Sequence, residues 1–262
     1  MKNITYILYI LLFAVISTAC EKDNTNDINV PQKVKITESQ FSNGLKITLW
    51  ADQQELTVGY NPIYISLSNA SGTVTGKTVH IHPEMDMHSM SHSSPVEQPQ
   101  YNSISGLYAG AVVFTMPSGE MGSWKLIATV DGQSTTLNIT INNPPAGNKK
   151  VTSFTGEDGK AYTLSLVEPS TPKIGLNDLE ILINRRIDMD TFPTEEGLTI
   201  EFEPDMPSMG HGSPNNVHPV GTGKGRYKGK VNFTMTGEWR LQFTIKRGED
   251  VIKENVALEL TF

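Results

Sequence analysis

From about residue 37 to the end of the chain, apolar side chains recur at every second position. Ile63, Ile65 and Leu67 alternate with their neighbours, and Leu179, Ile181 and Ile183 do the same further along. Tyr108, Gly110, Val112, Phe114 and Met116 share one face of an extended run, as do Tyr227, Gly229, Val231, Phe233 and Met235. Trp124, Leu126, Ala128 and Val130 form another such face, matched by Trp239, Leu241, Phe243 and Ile245. A period of two belongs to a strand with one buried face, because successive side chains leave opposite sides of the pleat. No helix-period segment longer than about two turns follows the first twenty residues. Short runs of this kind, punctuated by Gly, Asn and Pro, predict an all-β protein built as an immunoglobulin-like antiparallel β-sandwich.

The pattern occurs twice. Met87-His-Ser-Met90-Ser-His92-Ser-Ser-Pro95 aligns with Met206-Pro-Ser-Met209-Gly-His211-Gly-Ser-Pro214, giving M-x-S-M-x-H-x-S-P. At the same offset Tyr108–Met116 matches Tyr227–Met235, and Gly59-Tyr-Asn61 upstream matches Gly175-Leu-Asn177. Gly122-Ser-Trp124 answers Gly237-Glu-Trp239 after a short insertion in the first copy. Self-similarity at a fixed offset signals repeated domains. The join falls in Asn142-Asn-Pro-Pro-Ala-Gly-Asn-Lys-Lys150, whose prolines, glycine and polar neighbours mark a linker. The expected domains are therefore 37–143 and 151–262, with 144–150 between them.

The chain start changes the picture of where these domains work. Lys2 is followed by an apolar stretch from Ile7 to Ile16 and by Ser17-Thr18-Ala19 directly before Cys20. A positive n-region, a short apolar core and small residues at a cleavage point make a secretory signal peptide, expected over 1–19. Because the small residues end at a cysteine, the site resembles a lipobox, although Ser17 stands where that motif usually has Leu. This implies diacylation of Cys20 and a lipid anchor in the cell envelope, expected at the outer membrane. Residues 20–36 hold almost nothing apolar and read as a flexible tether. Cys20 is the only cysteine among the 262 residues, so stability has to come from packed cores rather than disulfides. The net charge of −7 includes no basic stripe of the kind nucleic acid would require.

The repeated M-x-S-M-x-H-x-S-P segment carries the candidate chemistry. Its Ser, Gly, Pro and Asp content predicts a loop after a strand, where functional groups concentrate. Met87, Met90 and His92 in the first copy and Met206, Met209 and His211 in the second place two thioethers and an imidazole within six residues. Soft sulfur donors select Cu(I), and imidazole suits copper in either oxidation state. The competing account is structural, since methionine fills irregular gaps in cores. Met85 and His88 lie in the same first-copy segment. Met116 and Met235 end the inward stripe and read as core, becoming ligand candidates only if that strand end abuts the loop. His80 and His82 alternate with Val79 and Ile81, matched by Glu201 and Glu203, and read as a solvated face with a lesser chance of binding a second metal. No Ser/His/Asp elbow, helical zinc-binding histidine pair or phosphate-cradling loop appears, so no enzyme is expected.

The run Pro204-Asp-Met206-Pro-Ser-Met209-Gly-His211-Gly, then Gly225-Arg-Tyr227-Lys-Gly229 and Phe233-Thr-Met235-Thr-Gly-Glu-Trp239, resembles the YtkA-like domain, a relative of FixH-like proteins. The resemblance covers most of the second domain and extends more loosely to the first. It implies an exported sandwich of about a hundred residues, associated with copper transport and oxidase assembly, and partners that donate or accept copper. The alternative from another functional class is a displayed binding module for a protein or glycan, with the Met/His loops purely structural.

Overall fold

The computed structural model describes residues 33–262, so the signal peptide, Cys20 and most of the expected tether lie outside the described residues. Within them the chain is all strand and connection, with no helix and hence none long and apolar enough to cross a membrane. The first domain consists of β1 (Val34–Gln40), β2 (Lys46–Ala51), β3 (Leu56–Thr57), β4 (Gly59–Asn69), β5 (Gly72–Val74) and β6 (Val79–Asp86). It continues with β7 (Ser91–His92), β8 (Val96–Asn102), β9 (Leu107–Phe114), β10 (Ser123–Val130), β11 (Gln133–Ile139) and β12 (Ile141–Asn142). The second comprises β13 (Val151–Thr155), β14 (Ala161–Glu168), β15 (Gly175–Arg186), β16 (Thr199–Met206) and β17 (His211–Gly212). It ends with β18 (Val217–Gly223), β19 (Arg226–Phe233), β20 (Glu238–Arg247) and β21 (Asp250–Thr261). Val34 to Ile36, expected in the tether, already belong to β1, where Lys35 pairs with Trp50.

Each domain is a two-sheet sandwich, and the strand orders correspond place for place. The first has β1-β2-β4-β9-β8 facing β11-β10-β6-β7, and the second has β13-β14-β15-β19-β18 facing β21-β20-β16-β17. The inward faces are those the alternation marks. Ile63, Ile65, Val112, Phe114, Trp124 and Leu126 fill the first core, and Ile181, Ile183, Val231, Phe233, Trp239 and Leu241 fill the second. Each large side chain buried in this way contributes roughly 1.5–3 kcal/mol. Local turn chemistry agrees with the pattern. Asp131-Gly132 and Lys224-Gly225 join β10 to β11 and β18 to β19 as two-residue loops with positive φ at both positions, the geometry whose twist matches an antiparallel pair.

The linker does not hang free. Lys149 exchanges both backbone hydrogen bonds with Glu259, and Thr261 Oγ1 donates to the Gly147 carbonyl. Burial holds the Lys150 amine below its ordinary range. Val113 of the first domain packs with Val151 and Leu182 of the second in a small third core. Beside it, Arg226 donates to both carboxylate oxygens of Glu97 and to the Tyr60 hydroxyl across the boundary, and to Glu180 within its own domain. Burial alone lowers the pKa of this guanidinium, but Glu97 and Glu180 override it and raise the value above its usual range.

Candidate metal centre

The first-copy motif starts inside a strand rather than in a loop. β6 runs on through Pro83 to Asp86, and Met85 is fully buried, facing Trp124 on one side and His92 on the other. In the second copy Met206 takes this place, buried in the core and paired with His211. The structural counterpart of Met206 is therefore Met85, not Met87 as the sequence alignment has it. The first-copy turn is two residues longer, and the fixed core position of the leading methionine moves the extra residues into the loop. Met87 is half-buried against the first core and donates its N–H to the Met90 carbonyl. His88 sits at the turn with φ of 68°, exposed. Met90 and Met209, each two residues before the histidine, are 52% and 59% exposed.

What β7 brings together is His92 and Met116. His92 Nδ1 lies 2.9 Å from the Ser93 carbonyl oxygen, which can only accept, so the ring proton is assigned to Nδ1. Nε2 then presents a lone pair, and it stands 3.3 Å from Met116 Sδ. A thioether has no proton to offer either. Two Lewis bases in contact with no hydrogen between them suit a cation. Donors bound to one d¹⁰ ion at about 2.0 Å (nitrogen) and about 2.3 Å (sulfur) stand about 3.5 Å apart at a tetrahedral angle and about 3.7 Å apart at a trigonal one, so this pair needs to open by only a few tenths of an ångström. Trp124 fixes both partners. Its indole Nε1 donates to the Met116 carbonyl at 2.9 Å, and its ring meets the His92 ring edge-on at 5.5 Å. Met116 is partly buried against the first core, as the alternation expects, but β9 ends at Phe114 and Pro117 follows, so its sulfur also meets the loop at His92.

The second copy repeats the frame more openly. His211 Nδ1 lies 2.9 Å from the Gly212 carbonyl, its ring is 6.3 Å from Trp239, and Trp239 Nε1 donates to the Met235 carbonyl at 3.0 Å. Met235 is more exposed than Met116, and its sulfur is not brought onto His211. The β6 histidines take no part in either His/Met contact. His80 is exposed, and His82 Nε2 is 4.0 Å from Asp190. Among the described residues no three His, Cys, Asp or Glu side chains cluster as a ligand set. Sequence reasoning gave His218 no role, yet its Nδ1 accepts from the Phe202 N–H at 2.9 Å, the place that Gln98 fills at Ile81 in the first copy.

His92, Ser93 and Met116 also line a cleft of about 470 Å³ between the domains, opposite Phe154, Tyr162 and Met189. Burial, together with a hydrogen bond to Asp158, pushes the Tyr162 phenol up to about 12, so it remains a neutral wall.

Comparison with known proteins bears on the second domain. Residues 156–244 match the YtkA-like family model. This YtkA-like segment contains Met206, Met209, His211, Met235 and Trp239, and the first domain lies outside it. No curated protein matches the chain. Among solved structures it is similar to the Escherichia coli adhesin FdeC, at 12% identity and a TM-score of 0.26, with 82% of this chain and 64% of that chain covered. It is also similar to Yersinia pseudotuberculosis InvD, at 18% identity and a TM-score of 0.25, covering 79% of this chain and 54% of the other. Domains 5–6 of the S-layer protein SbsC align at 12% identity and a TM-score of 0.30, covering 87% and 98%.

Proposed function

We propose that this chain is a lipid-anchored module of the cell envelope, tethered at Cys20, that binds a soft metal ion, Cu(I), and sequesters it or passes it to a partner protein. The single observation carrying this reading is the 3.3 Å approach of His92 Nε2 and Met116 Sδ, with the imidazole proton assigned to the far nitrogen by its contact with the Ser93 carbonyl. The exposed Met90 supplies a thioether two residues from His92, and Met209 does the same beside His211. Met85 and Met206 serve as the buried root of each motif, which leaves His92 and Met116 as the firmest ligands of the first copy and His211 and Met209 as those of the second. Copper enters as cargo, and no catalytic role is proposed for the chain.

The test is a Cu(I) titration of the full chain against a chromophoric Cu(I) chelator. The wild type is expected to outcompete the chelator, and His92→Ala/Met116→Leu to lose at least about tenfold in affinity. An equal result for the two proteins would overturn the reading. Only the imidazole among the expected ligands takes up a proton, so affinity should weaken gradually rather than collapse below the ordinary imidazole value of about 6.5. A second reading, capture of a protein or glycan partner by the loops, draws on the exposed loop residues Ile104 and Met121. It predicts binding that chelators leave untouched.

A further inference from the structure

We infer that the first-copy site is completed across the domain boundary, with the Met189 thioether of the second domain as third ligand beside His92 and Met116. This rests on the metal-binding reading above and deepens it. Met189 is absent from the repeated motif. It sits in the connection from β15 to β16, and its backbone carbonyl accepts the Ser93 N–H at 2.7 Å, the residue directly after His92. That bond sets the Met189 backbone beside Ser93, and His92, Met116 and Met189 line the same cleft.

The connection is built to hold its shape. Asp188 Oδ1 accepts the N–H groups of Asp190 and Thr191, both at 2.8 Å, and the Ile187 N–H donates to the Thr191 carbonyl. A methionine left 40% exposed at the tip of such a polar turn packs into neither core. Asp188 and Asp190 flank Met189 in sequence, with Asp190 4.0 Å from His82 Nε2, and the cleft wall itself carries one cation, Arg186. The boundary is itself fixed by the Arg226 network and the Val113–Val151–Leu182 cluster, which keep the Met189 loop in register with β7. One imidazole and two thioethers form a trigonal soft donor set of the kind Cu(I) accepts. The two copies thereby become unequal. The first owns a three-ligand site shared by both domains, and the second keeps a weaker site at His211.

The full chain titrated with Cu(I) under chelator competition should show one tight site, and Met189→Leu should weaken that site at least tenfold while leaving the circular dichroism unchanged. As a second measurement, the Met189 methyl resonance of the wild type should shift with the first equivalent of Cu(I). If the wild type binds no Cu(I), the metal-binding reading itself fails. If the wild type binds and His92→Ala/Met116→Leu abolishes binding, but Met189→Leu titrates like the wild type or the wild-type Met189 methyl stays put, the shared site is wrong and the reading survives without it.

Discussion

At the scale of single residues, the centre is shaped by groups that touch no metal. Trp124 uses its ring to wall in His92 and its N–H to hold Met116, so one indole fixes the direction of two donors. Gly122 and Gly237 make room at the same strand end. A Cβ on Gly122, at φ of +149°, would stand 2.2 Å from the Asp86 carbonyl oxygen, and one on Gly237, at +131°, would stand 2.9 Å from the Met206 methyl. Both positions are strained for any other residue, but the obstacle is rigid backbone in one case and the far end of a flexible side chain in the other. Gly122→Ala should therefore destabilise by about 1–3 kcal/mol, and Gly237→Ala by less. Chemical denaturation of the two variants checks the order, and a reversed order would show that the β6 end yields more easily than a buried methionine.

At the scale of elements, each sandwich reads as alternation interrupted where the backbone does something alternation does not encode. Gly110 and Gly229 lie on the inward stripe, yet a Cβ there would come within 2.5 Å of the Glu97 carbonyl and 2.3 Å of the Val217 carbonyl. These glycines let the edge strands β8 and β18 cross close over β9 and β19 at their register shifts. The end of β9 matters most for the site, because Met116 is free to meet His92 only since the strand stops two residues earlier. Trp124→Phe tests this pin. It removes the bond to the Met116 carbonyl, costs about 1–3 kcal/mol through the orphaned acceptor, and should weaken Cu(I) binding although the indole is no ligand. Unchanged affinity in the same titration would show that Met116 keeps its place by packing alone.

At the scale of the whole molecule, the two domains meet through a joint of defined chemistry. Arg226 binds Glu97 and Tyr60 of one domain and Glu180 of the other. Burial, followed by the Glu97 hydrogen bond, pushes the Tyr60 phenol well above its ordinary value, so it stays a neutral donor to Glu97. Removing the guanidinium leaves Glu97 with no counter-charge and Glu180 with only Lys228, 3.1 Å away. Arg226→Ala should cost on the order of 1.5–3 kcal/mol, the range for hydrogen bonds to charged groups, and split thermal unfolding into two transitions as the domains uncouple. Calorimetry decides this, and a single transition at the wild-type temperature would show that the apolar contact at Val113 suffices.

Much was legible in the chain because it is local. Period-two runs set the strands and their inward faces, and Gly, Asn and Pro marked the breaks between them. Each depends only on neighbouring residues and the geometry of a pleat. The motif histidines and methionines were equally visible, and the YtkA-like resemblance of the second copy rests on the same letters. Which sulfur meets which imidazole was not legible. Met116 lies 24 residues from His92, and the contact depends on where β9 ends and on an indole from the next strand. Met189 comes from the other domain altogether, brought in by a backbone bond that carries no side-chain signature. Local pattern determines the strands and the donor inventory. Only the packing of one sheet on another, and of one domain on the next, decides which donors share a point in space.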